Sequence, residues 1–178
     1  MARNAEEYFK KTQGRLASTL RELPGIIGKE AMKFSMEAFE NEAWSGNHQQ
    51  PWKKRKNPTK WGKPDETNRK LLKKTGELMR SVRITRQTND RVWVGAGGTT
   101  TVHYAGVHNA GFRGVVNQNV RAFTRKMKNG KTQSVKAHSR TINQNIPKRQ
   151  FLGTERDSPY LKARIRRACL VELKKIMK

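Results

Sequence analysis

From Arg91 to Thr154 the chain carries eleven Lys or Arg and not one Asp or Glu. A general acid/base pair or a carboxylate metal site would have to draw on acids outside this stretch, and its like charges add to a self-repulsion that is unfavourable for a compact monomer. Its middle reads as a hairpin, "VVNQNVRAFTRKMKNGKTQSVKAHSRTI", with Asn129-Gly130 at the centre, a pair that suits the positive φ values of a two-residue type I′ turn. That turn predicts Lys128 opposite Lys131 and Phe123 opposite Lys136. Alternation then gathers Arg121, Phe123, Arg125, Lys136 and His138 on one face, with Lys126, Lys128 and Lys131 near the tip and Arg140 on the returning strand. Neither face is apolar enough to bury, so residues Val115 to Ile142 read as a projecting arm that must lie on something else. The core has to come from the flanking segments.

Those segments are helical at both ends. "NAEEYFKKTQGRLASTL" predicts a first helix, with Asn4 as cap, acids in its first turn, and Phe9, Leu16 and Leu20 on one side. Pro24 and Gly25 are expected to end it. "IIGKEAMKFSMEAFENEAW" then places Ile27, Ala31, Phe34 and Ala38 at helical spacing, with Met32, Met36 and Phe39 widening the stripe, which predicts the main core helix. At the other end, Asp157 or Ser158 caps a helix with Pro159 in its first turn and Leu161, Ile165, Ala168, Leu173 and Ile176 as its core stripe. "KLLKKTGELMRSVRI" reads as a short helix interrupted near Gly76 and running into a strand. "RVWVGAG" alternates as a second strand, with "QTND" as the turn between them. The expected class is α+β: a small antiparallel sheet packed against a long helix and a C-terminal helix, in one domain over residues 1–178. Appended to it are a basic loop at 45–66 and the hairpin arm at 115–142. In that loop, the run Lys53-Lys54-Arg55-Lys56 and the residues Trp52 and Trp61 are expected to contact a surface, because an exposed Trp is costly unless it covers one.

The formal charge of +25 on 178 residues calls for a polyanion or a neutralising protein partner. No stretch approaches the roughly 18 apolar residues of a membrane span, so no membrane contact is expected and nucleic acid is the leading polyanion. A single cysteine, Cys169, excludes an internal disulfide and a thiolate metal cluster, and the N-terminus lacks the apolar core of a secretory signal, so a soluble product of a reducing cytoplasm is expected. His103 and His108 have no metal-ligand spacing, and "GAGG" at residues 95–98 lacks the Gly-Lys-Ser/Thr that a phosphate loop needs. Neither a cofactor, nor a metal, nor an enzymatic activity is expected.

The order of motifs carries more information than any one of them. Pro51-Trp52 in a loop is followed by "LLKKTGEL" with Ser81, a Val94-Gly95 strand end, "YAGVHNAG", then "IPKRQFLG" and a closing helix. This order resembles the phage virion morphogenesis family, the tail completion or head-to-tail joining proteins of Mu-type and related tailed bacteriophages. Two departures are visible: Gln150 stands where the family typically has Pro, and the connection between the two motifs is longer here. The resemblance implies a virion protein, made in the bacterial host cytoplasm, that forms a homo-oligomeric ring at the neck or head-proximal tail end, six-fold if it follows tail symmetry. Its implied neighbours are neck or connector proteins and tail tube or tail terminator proteins; for the basic arm two destinations fit, an acidic surface of an adjacent ring, which the reading favours, and packaged DNA in the ring lumen. Tyr104 and His108 would share one face of a helical turn ended by Gly111. Pro147 would set the chain direction before Phe151 and Leu152 anchor in a groove of the chain's own sheet or of a ring neighbour, with Arg149 and Trp52 beside them. Two other classes fit the charge: a monomeric nucleic-acid-binding module, and a basic ribonuclease built on His103, His108 or His138.

Overall fold

A computed structural model describes residues 2–54, 69–98 and 102–176, with side chains from residue 4 onward. Arg55, Lys56 and Trp61, and with them much of the expected basic loop, lie outside the described residues. In chain order the elements are α1 (Ala2–Asn41), β1 (Ala43–Ser45), β2 (Gln49–Pro51), α2 (Glu77–Arg80), β3 (Arg83–Gln87), β4 (Val92–Gly95), α3 (Ala105–Ala110), β5 (Phe112–Val120), β6 (Phe123–Lys126), β7 (Thr132–Val135), β8 (His138–Ile146) and α4 (Pro159–Ile176). The class is α+β, as expected. The strands, however, pair as four separate two-stranded antiparallel ladders, β1-β2, β3-β4, β5-β8 and β6-β7, and not as one sheet.

The first correction concerns α1. Pro24 and Gly25 do not divide two helices; one helix of 40 residues runs through both, and Asn4 lies inside it instead of capping it. A proline within a helix removes one backbone hydrogen bond and crowds the preceding turn, at about 3 kcal/mol. Packing on the far side outweighs that local cost. Phe34, Ala38 and Phe39 are buried, and Gly28 lies so close to the β3-β4 hairpin that a Cβ there would meet Ile84 Cδ1 at 2.7 Å and Val92 Cγ2 at 2.8 Å. The helix is therefore fixed from its C-terminal half. Its N-terminal half stands exposed, with Tyr8 and Phe9 at 63% and 71% relative exposure.

The core gathers around the buried half of α1. Phe39 packs on Phe151 at 4.8 Å between ring centroids and edge-on to Trp52 at 5.6 Å, while Phe34 meets Trp44 edge-on at 5.1 Å. Leu71, Leu78, Val82, Val102, Ala105 and Leu161 complete it. α4 lies along α1 and is held by Arg164, whose guanidinium bridges Glu30 and Glu37. As read from sequence, Ser158 caps α4: its Oγ accepts the Leu161 amide at 3.0 Å, with Pro159 at the first helical position. Leu161 and Ile176 are buried, and Ile165, Ala168 and Leu173 are half-buried between them. The β3-β4 hairpin forms as predicted. Gly76, with φ +75°, does not interrupt a helix but starts α2, and Leu71 before it lies in a turn.

Candidate functional site

The stretch "IPKRQFLG" leaves β8 and crosses the face of the core, where five of its backbone polar groups find a side chain and one a backbone carbonyl. The Arg149 amide donates to the His108 carbonyl at 2.8 Å. Trp52 Nε1 donates to the Gln150 carbonyl at 2.9 Å, and Ser35 Oγ donates to the Phe151 carbonyl at 2.5 Å. Asn109 does most: its Oδ1 accepts the amides of Phe151 at 2.9 Å and Leu152 at 2.8 Å, and its Nδ2 donates to the Leu152 carbonyl at 3.1 Å. One side-chain amide thus imitates a strand partner and satisfies groups that burial would otherwise leave unpaired. Phe151 is completely enclosed.

Two sequence alternatives were open for this stretch, the chain's own body or a ring neighbour. Phe151, Arg149 and Trp52 turn inward onto the chain's own helices, and the expectation that Trp52 covers an outside surface is corrected: it is 5% exposed because its indole covers Phe39 and its N–H finds a buried carbonyl. Arg149 is 8% exposed, and its Nε and Nη2 both donate to the Lys53 carbonyl, at 3.1 and 2.9 Å. That fork ties the end of the motif to the chain just after β2. Pro147 and Leu152 are half-buried at the margins of the same crossing. Asn109 and Ser35 were not singled out from sequence, although an Asn inside a helical turn is a signal in itself, since its side chain competes for backbone partners.

Tyr104 and His108 share one face of α3, their rings edge-to-face at 5.6 Å, and Gly111 ends the turn at φ +79°. A Cβ on Gly111 would stand 2.9 Å from the Lys148 amide nitrogen, so glycine lets the two motifs touch backbone to backbone. Burial, and then the nearby Arg149 charge, hold the His108 imidazole below its ordinary pKa and so favour its neutral form. The "GAGG" stretch is a packing turn: the Gly97 amide donates to Ser81 Oγ at 2.9 Å, and a Cβ on Gly97 would meet the Val102 carbonyl at 2.5 Å. Among the described residues, no group of three or more His, Cys, Asp or Glu is placed to hold a metal, and no helix is long and apolar enough to cross a membrane.

The arm is longer than the sequence reading had it. β5 and β8 pair over nine residues from Phe112↔Ile146 to Val120↔His138, and β6-β7 continues outward from there. Its register is also corrected. Phe123 pairs with Val135, and Arg125 with Gln133, because the turn holds three residues, Lys128 to Gly130, instead of two. The Gly130 amide donates to the Met127 carbonyl at 3.0 Å, the Met127 amide donates to the Lys131 carbonyl at 2.8 Å, and Gly130 takes φ +79°. A slip of one residue changes the faces. Lys136 does not stand opposite Phe123, and Arg125 shares a rung with a neutral Gln. Arg121, Phe123, Arg125, Lys126, Lys128, Lys131, Lys136 and Arg140 are all exposed.

Comparison with known proteins gives one positive finding. The model of the phage virion morphogenesis family matches residues 3–168, nearly the whole chain. No match is found among curated proteins or among solved structures.

Proposed function

Because this chain belongs to the phage virion morphogenesis family, and is thereby a structural or assembly protein of a phage particle, we propose that it completes the tail and joins it to the head. In this reading it forms a ring at the neck or head-proximal tail end, between connector proteins on one side and tail tube or terminator proteins on the other. One observation supports self-assembly most directly. Along α1, Phe9, Leu16, Leu20, Ile27, Ala31, Phe34 and Ala38 follow one another at steps of seven, four, seven, four, three and four residues, so they form a single stripe. Phe34 and Ala38 are buried and Ile27 and Ala31 half-buried; Phe9, Leu16 and Leu20 are exposed, at 71%, 41% and 48%.

A stripe that is core at one end and bare at the other fits a helix whose free half packs on the neighbouring copy. Contacts of that kind, between different patches on successive copies, close into rings when the rotation allows, and six-fold closure matches the symmetry of a tail. The reading assigns structural work and no catalysis, and it places the motif around Asn109 and Phe151 in the scaffold that aims α1 and the arm.

Light scattering coupled to size exclusion tests it. Wild type is expected to run as a closed oligomer, and Leu16→Glu with Leu20→Glu as a folded monomer that no longer supports head-to-tail joining in an assembly extract. A wild-type chain that stays monomeric both alone and in assembled particles refutes the ring.

A further inference from the structure

We infer that the arm is a double-stranded DNA ribbon: the two-tier hairpin Phe112–Ile146 grips the phosphate backbone of duplex DNA without reading its sequence. This deepens the proposed function by naming the arm's partner, and it can fail while the ring reading stands. The arm holds eight bases and no acid. Two of its arginines are set in a particular way. Arg140 Nε and Nη2 both donate to Gln118 Oε1, at 2.9 and 2.7 Å, and Arg125 Nε and Nη2 both donate to Gln133 Oε1, at 3.1 and 2.8 Å. Each Arg and Gln are direct cross-strand partners. A neutral Gln fixes the guanidinium without cancelling its charge, and of the five donors three remain for an outside acceptor.

Beside these rungs, Thr141 Oγ1 donates to Asn117 Oδ1 at 3.1 Å and Ser139 Oγ donates to Asn119 Oδ1 at 2.8 Å, a polar ladder with nothing to bury. Phosphate contacts are made by groups of this kind. A second copy of the chain does not suit the arm. Among the described residues, six of the twelve acids, Glu6, Glu30, Glu37, Glu40, Asp90 and Glu172, are already paired with bases of their own chain, and against a formal charge of +25 the rest offer little to attract eight bases. An acidic surface of another protein suits it less well than DNA, because stable protein contacts are centred on a desolvated apolar patch. The arm's exposed large apolar side chains are spread over both tiers: Phe112 and Val115 alternate to opposite faces of β5, and Phe123 and Met127 lie four residues apart along an extended segment, about 13 Å by strand rise. Shape agrees as well, for a two-stranded ribbon fits the duplex major groove, about 12 Å wide.

The test measures fluorescence anisotropy of a labelled mixed-sequence duplex of about 30 base pairs with the full chain, across about 50 to 200 mM salt. Two variants of equal net charge are compared. One changes Arg121, Arg125, Lys126, Lys128 and Lys131 to Gln; the other changes Lys162, Arg166, Arg167, Lys174 and Lys175 on α4 to Gln. Each lost phosphate contact lowers the log–log salt slope by about 0.9, so the arm variant is expected to lose up to about 4.5 and the α4 variant less than about 1. Should the five-site arm variant fail to fold by circular dichroism, Lys128→Gln with Lys131→Gln at the turn is expected to lose about 1.8. Equal losses in the arm and α4 variants, an arm variant that binds like wild type, or polyglutamate binding as tight as duplex binding overturns the inference. The last result assigns the arm to an acidic protein surface instead.

Discussion

Asn109→Ala is the most informative single change in the scaffold. The side chain makes three hydrogen bonds to the backbone of residues 151 and 152, at 2.8 to 3.1 Å, and alanine replaces none of them. With a net contribution of about 0.5 to 1.5 kcal/mol per bond, and Asn109 only half-buried, the loss should be about 2 to 3 kcal/mol. Urea unfolding reads it directly. Trp44 and Trp52 lie in the core beside this crossing, so their fluorescence reports its opening. At a slope near 2 kcal/mol/M the midpoint should fall by about 1 to 1.5 M, at a fixed protein concentration because assembly adds stability. Asn109→Asp keeps both accepted bonds but sets a carboxylate against the Leu152 carbonyl. It should fall between wild type and alanine and recover in part as the carboxylate is protonated. A change below about 0.5 kcal/mol for Asn109→Ala would show that the crossing is held by Phe151 alone, and the account of the amide clamp would be wrong.

Gly111→Ala should cost about 1 to 3 kcal/mol through backbone strain at φ +79°, with the Lys148 contact adding to it, and should lower the thermal midpoint. Gly106→Ala, five residues earlier in α3 with open space around it, should be neutral or slightly stabilising; equal effects at the two sites would refute the close-approach argument. Glu40 is hydrogen-bonded by Lys70 and then Lys73, which hold its carboxyl down at about 2 from an ordinary 4.5. A depressed carboxylate stabilises the fold above its unfolded pKa and loses that contribution as pH falls towards the folded value. Stability of wild type should therefore drop more steeply than that of Glu40→Gln between about pH 4.5 and 2, and parallel curves in an acid titration followed by circular dichroism would rule the pairing out.

Helical periodicity made α4 and the buried half of α1 legible in the sequence, because each buries a stripe that recurs with the turn of the helix. Local punctuation misled where packing overrode it. Pro24-Gly25 is a strong stop signal in isolation, yet the contact of Gly28 with Ile84 and Val92 joins distant parts of the chain and keeps the helix whole. The arm was visible as a hairpin from Asn129-Gly130, but two-residue and three-residue turns share the same dipeptide, and the choice between them moved every facing pair by one. In the candidate site, the order of the two motifs showed that they belong together. That Asn109 joins them was not legible, since an amide clamp depends on backbone brought in from residues 42 and 43 positions away.

Two-stranded ladders leave both outer edges open, and the arm is two such ladders end to end. An unpaired strand edge is an invitation for another chain to add to it. An arm that carries eight bases and no acid, five of the bases between Arg121 and Lys131, repels its own kind at close range. The arms can therefore share the cell without zipping into fibres, and they become sticky only towards a surface of opposite sign.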